Sequence, residues 1–154
     1  MQDADNLKAD AVTRLVRHFQ RIYDEHMRDL PIVNTMIDVE GVGFRDFGAH
    51  QLGVLITPWF MNLVLLSAGD EWLDSAQGET STIDFPSGPV EFTVSRDQEL
   101  GTYLTAVLSP SVADLPDQAA ARNVAQQGLS ELFLRPRNER VLSRRELLTG
   151  LRGR

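Results

Sequence analysis

Cysteine is missing from these 154 residues. That excludes disulfides, thiolate metal ligands and a cysteine nucleophile, and it fits a reducing, cytoplasmic setting. Lysine occurs once, at Lys8, so arginine carries nearly all the positive charge. No apolar run is long enough for a bilayer. The longest, Leu52–Leu66 (LGVLITPWFMNLVLL), is interrupted by Thr57, Pro58 and Asn62, whereas a spanning helix needs about 20 apolar residues. The opening MQDADNLKADA is acidic and polar, unlike a secretory signal or an N-terminal anchor. A nucleophile beside a base, a metal-ligand spacing and a phosphate-binding glycine loop are also missing. His18 and His26 are too far apart for an i, i+4 metal pair, and His50 reads as an exposed turn residue near Asp46. No catalytic residue, metal ligand or cofactor is therefore expected.

Charge is divided unevenly along the chain. Residues 1–134 hold eight Lys/Arg against twenty Asp/Glu, a net of −12, while residues 135–154 hold seven arginines against two glutamates, a net of +5. The division predicts one acidic domain over residues 1–134 and a basic, arginine-rich tail over 135–154. An acidic body repels nucleic-acid phosphates and anionic lipid, so neither nucleic acid nor membrane insertion is expected. It attracts cationic peptide, or else it is simply a solvated surface.

Periodicity predicts an α+β fold: an antiparallel sheet of about five strands, two long helices packed on one face, and a short basic C-terminal helix or tail. Val12, Leu15, Val16, Phe19, Ile22, Tyr23 and Met27 recur at helical spacing over about 4–29. A second helix is expected over about 115–134, with Asp114 as cap and Pro116 in its first turn. Phe44–Ala49 and Gln51–Thr57 read as a hairpin, and Thr35–Val39 as a short strand. Further strands are expected at Phe60–Leu66, Glu79–Phe85, Val90–Ser95 and Tyr103–Leu108. The run Leu52–Leu66 breaks at Pro58, which has no ladder donor. Trp59 after it is either a core aromatic or a partly exposed anchor at the lip of the sheet. The stiff loop Phe85-Pro86-Ser87-Gly88-Pro89 is either a connector or a rim beside that corner. Two buried strands end in a hydroxyl–proline step, Thr57-Pro58 and Ser109-Pro110, which hints at one shared end of the sheet.

The tail VLSRRELLTGLRGR supports two readings. It can open a helix, with Ser143 and Glu146 as a capping box and Leu147, Leu148 and Leu151 on one face. Arg144 and Arg145 then lie in the first turn, where the helix dipole disfavours cations. Alternatively, Ser143-Arg144-Arg145-Glu146-Leu147-Leu148 imitates a twin-arginine export motif, at the wrong end of the chain to act as one.

Four groups of residues, in this order and spacing, resemble the HybE/HupJ family of [NiFe]-hydrogenase assembly chaperones. They are Ile56-Thr57-Pro58-Trp59; Phe85-Pro86-x-Gly88 with Phe92-Thr93-Val94; Tyr103-Leu104 leading to Ser109-Pro110; and Arg144-Arg145-x-Leu147-Leu148-x-Gly150. The resemblance runs from about Ala11 to Arg152. It implies a cytoplasmic maturation chaperone, not an enzyme. Its partners would be a hydrogenase small-subunit precursor, held through its twin-arginine leader, and in some relatives the large subunit. Some relatives carry a rubredoxin module, for which this chain lacks the cysteines. The resemblance makes these motifs a family signature rather than a binding site; the candidate partner-binding residues taken from them are Thr57, Pro58, Trp59, Phe85, Pro86, Gly88, Ser109, Pro110, Arg144, Arg145, Leu147 and Leu148. The charge division and the leader-like tail motif, taken together, lead to the expectation that the tail occupies the leader site in cis until a leader displaces it; the competing expectation is that the tail contacts the hydrogenase or its export machinery. The alternatives are a structural accessory subunit of the hydrogenase, or a small ligand-binding domain or enzyme with a pocket near Trp59, Phe85 and Tyr103.

Overall fold

The computed structural model describes residues 2–67, 75–109 and 111–135, with side chains from Asp10 onward. Trp72, Pro110 and residues 136–154, with Arg144, Arg145, Leu147 and Leu148, lie outside the described residues. Helix α1 (Gln2–Ile22) runs into a π-helical turn, Tyr23–Met27. Six strands follow: β1 (Glu40–Phe47), β2 (His50–Ile56), β3 (Met61–Ser67), β4 (Thr80–Phe85), β5 (Gly88–Asp97) and β6 (Gly101–Ser109). Helix α2 (Gln118–Glu131) comes last. The strands form one sheet in the order β1-β2-β3-β6-β5-β4, every pair antiparallel.

The α+β class and the antiparallel sheet agree with the sequence reading, with six strands in place of about five. The helices differ from it: they cover opposite faces. Leu52, Val54 and Ile56 of β2, with Met61, Leu63 and Leu65 of β3, pack with Ala121, Ala125 and Leu129 of α2. Leu55 and Val64 point the other way, to Leu15, Val16 and Phe19 of α1. Side chains alternate across a strand, so a strand apolar at nearly every position needs a cover on each side. That is why Leu52–Leu66 reads as a continuous apolar run. In β5, by contrast, Phe92 and Val94 are buried towards α2 while Glu91 and Thr93 face solvent, and the sequence alternates cleanly.

The sheet coils around α2. By register, Phe47 lies at the β1–β2 turn and Phe85 at the opposite end of the far edge strand. Yet their rings stack at 4.9 Å, and Phe133 beyond α2 packs edge-on against Phe85 at 5.9 Å. Diagonal corners meet only if the sheet curls strongly. A bulge in β1 adds to this, since the register shifts between Val42 and Arg45. Gly43 supplies a φ of 68° there, and Phe44 is turned over Gly53, where an added Cβ would sit 2.4 Å from the ring.

Several boundaries moved, among them that of the first hairpin arm, which starts at Glu40 rather than Phe44. The segment 35–39 is a loop rather than a strand. The hairpin turn is Gly48-Ala49, with His50 already in β2. The cap of α2 is Asp117, whose carboxylate accepts from the Ala120 N–H at 2.9 Å. Pro116 therefore lies before the helix.

Candidate functional site

The corner between β2 and β3 is shaped by Thr57, which is fully buried. Its backbone N–H donates to the Phe60 carbonyl at 2.9 Å. Its hydroxyl accepts from the N–H groups of Trp59 (3.2 Å) and Phe60 (2.9 Å) and donates to the Phe60 carbonyl (3.1 Å). One hydroxyl thus satisfies the backbone of a turn that proline has removed from the ladder. Pro58 is buried and Trp59 half-buried. The indole stacks nearly parallel on Tyr23 at 6.3 Å, and Phe60 meets Phe19 of α1 edge-on at 5.7 Å. Arg28 lies over the Tyr23 ring at 5.2 Å. Both readings of Trp59 are thereby partly met: it packs on the π-helical turn that follows α1 and stays partly exposed.

Asn34 ties this corner to two further loops. Its N–H donates to the Pro58 carbonyl at 2.8 Å. Its side-chain amide donates to the carbonyls of Val112 (2.8 Å) and Leu115 (2.9 Å), while its side-chain oxygen accepts from the Met36 N–H (2.9 Å). The loop held in this way exposes Leu30 (43%), Ile32 (62%) and Met36 (61%). Nothing in the sequence singled out Asn34. Its partners are distant carbonyls, and a carbonyl leaves no mark on residue identity.

Of the residues marked from sequence, the structure brings Ser109 to the corner, because it pairs with Met61. Thr57-Pro58 and Ser109 therefore do share an end of the sheet, with Pro110 outside the described residues. By register, Phe85, Pro86 and Gly88 lie at this same end but on the far, β4–β5 side of the sheet. Pro86-Ser87 is a two-residue turn closing the β4–β5 hairpin, and Ser87 N–H donates to the Leu132 carbonyl at 3.0 Å. Phe85 belongs to the α2-side core, whereas Trp59 stacks on the α1 side, so that turn is not a rim of the Trp59 corner. A cleft of about 180 Å³ opens on the α1 side, lined among others by Phe19, Phe60, Asn62, Tyr103 and Thr105. Of the three residues the pocket reading names, it includes Tyr103 but neither Trp59 nor Phe85. Burial pushes the Tyr103 phenol up, with the Asp97 carboxylate adding to this and the Ser95 hydrogen bond opposing it.

The β5–β6 turn is fastened to α1 by charge. Arg21 donates to both oxygens of Glu99, at 2.9 and 3.1 Å. His18 lies 3.1 Å from Asp97 and 2.8 Å from Glu99 through its two ring nitrogens. The Arg21 hydrogen bonds, followed by the one with His18, hold the Glu99 carboxyl down at about 2. His18, Asp97 and Glu99 are close enough to share a cation. Arg21, however, already takes both Glu99 oxygens, and the arrangement reads as a fastening.

The model of the family described as "[NiFe]-hydrogenase assembly, chaperone, HybE" matches residues 10–150. A "Hydrogenase expression/formation protein HupJ" of Bradyrhizobium diazoefficiens is 38% identical over 149 residues, covering 95% of this chain and 87% of that protein. A "Probable rubredoxin HupJ" of Rhodobacter capsulatus is 40% identical over 123 residues, which cover 79% of this chain but only 44% of that longer protein. The solution structure of HybE from Escherichia coli has a similar fold, with a TM-score of 0.66 at 21% identity over 82% of this chain and 78% of that one. Among the described residues, no helix is long and apolar enough to cross a membrane.

Proposed function

The chain belongs to the HybE family of [NiFe]-hydrogenase assembly chaperones, and from that premise we propose that it is a cytoplasmic maturation chaperone without catalysis. It holds the precursor of a hydrogenase small subunit by its twin-arginine leader, with the large subunit as a second contact, and delays export until the two are assembled. The observation that carries this reading is the half-buried Trp59, stacked on Tyr23 at the lip of a body with a net charge of −12 over residues 1–134. A leader combines an arginine pair with an apolar stretch. Carboxylates hold guanidinium groups through charge-assisted, bidentate bonds, and an aromatic lip takes the apolar part.

The test is capture of a hydrogenase small-subunit precursor from solution, comparing its native leader with one whose arginine pair is replaced by glutamine. The expected result is capture of the native precursor and a marked loss with the replaced one. Equal capture of both would overturn leader recognition. Persistence of the chain in the purified mature hydrogenase would make it a structural subunit instead.

A further inference from the structure

The loop stapled by Asn34 is unusual in what it shows to solvent. Leu30, Ile32 and Met36 are 43, 62 and 61% exposed, although the loop is tightly held. Two successive turns, Val33 N–H to the Leu30 carbonyl and Ile37 N–H to the Asn34 carbonyl, fix its path. Asn34 then bonds it to the Thr57–Phe60 corner and to the 112–115 turn. A rigid loop whose large apolar side chains point outward has already met the ordering cost that a flexible one would meet on binding. Exposed apolar residues held together also mark contact surfaces more than scattered ones do.

Carboxylates ring the same loop. Asp29 precedes Leu30, Asp38 follows Ile37, and Asp114 sits in the turn that Asn34 grips; all three are exposed. None makes an ion pair among the described residues. The neighbouring cations are already taken: Arg28 by Asp24 and Arg122 by Glu40. The surface therefore offers apolar knobs beside uncompensated negative charge.

We propose that this loop, with Leu30, Ile32 and Met36 as apolar contacts and Asp29, Asp38 and Asp114 as charge contacts, docks a peptide in which an arginine pair adjoins an apolar stretch. This rests on the leader-binding reading above and gives that leader a place. The apolar side chains take the stretch, and the carboxylates take the guanidinium groups.

The test uses the full chain and a small-subunit precursor leader fused to a soluble carrier, with affinity measured by calorimetry at two salt concentrations. Ile32→Ser with Met36→Ser should weaken binding about tenfold or more. Asp29→Asn, Asp38→Asn and Asp114→Asn together should weaken it and flatten its salt dependence. In that triple variant, replacing the leader's arginines should cost much less than it does against the unaltered chain. Leu134→Ser, equally exposed but beyond the far end of α2, should bind normally. If the unaltered chain binds the leader and both sets of variants bind as it does, the docking site lies elsewhere and only this inference falls. If the unaltered chain does not bind the leader at all, leader recognition falls and this inference with it.

Discussion

Thr57 and Gly53 show how much of this fold rests on single atoms. A buried hydroxyl that serves two N–H groups and a carbonyl has no substitute within reach. Thr57→Val leaves the shape and removes the bonds, so it should destabilise the chain by about 1–3 kcal/mol. Thr57→Ser should lie much closer to the unaltered protein; urea titration of both variants checks this. Gly53 is required for space, since a Cβ would sit 2.4 Å from the Phe44 ring. Gly53→Ala should cost about 1–3 kcal/mol by overpacking, visible as a lowered melting temperature. The Thr-Pro-Trp triplet was legible as a corner because proline cannot continue an inner strand. The reason for threonine was not legible, because it depends on a carbonyl and two N–H groups that any sequence would supply.

Among the elements, the strands were the most readable and the placement of the helices the least. Alternation in β5 and the proline breaks after β2 and β4 located those strands within a few residues. Periodicity also found both helices, but it says only that each has an apolar stripe, not which side of the sheet receives it. The clue was the unbroken run itself, since apolar residues at both parities of β2 and β3 require two covers. The sequence reading put the cap of α2 at Asp114; that residue lies in the 112–115 turn gripped by Asn34, and the helix is capped three residues later by Asp117. The fastening between α1 and β5–β6 was invisible, since His18 and Glu99 are 81 residues apart. It yields a prediction with a definite sign. The Glu99 carboxyl is held down at about 2, so its contribution to stability is fully present above the ordinary glutamate range and fades as pH falls towards that value. Glu99→Gln should melt earlier than the unaltered chain at neutral pH, and the gap should close as the pH is lowered to about 2; paired thermal melts check it.

At the scale of the whole molecule, the acidic body and the basic tail make a further prediction. Tethering gives a tail roughly millimolar effective concentration at a site on its own body, enough for a weak contact to compete with a partner. If Arg144-Arg145-Glu146-Leu147-Leu148 takes the leader site in cis, deleting residues 141–154 should raise affinity for a leader fused to a carrier. Unchanged or lower affinity would point to a tail that contacts the hydrogenase. The two-sided burial of β2 and β3 also bears on how the protein is made. Their hairpin is a local pairing and can form early. During synthesis, α1 and the six strands leave the ribosome before α2 does. Until residue 131 emerges, the concave side of that hairpin is bare, with Leu52, Val54, Ile56, Leu63 and Leu65 open to any neighbouring chain. Nascent chains halted before α2 should therefore aggregate, whereas chains released after it should not. A protein whose family serves the assembly of others thus has a dangerous interval in its own birth.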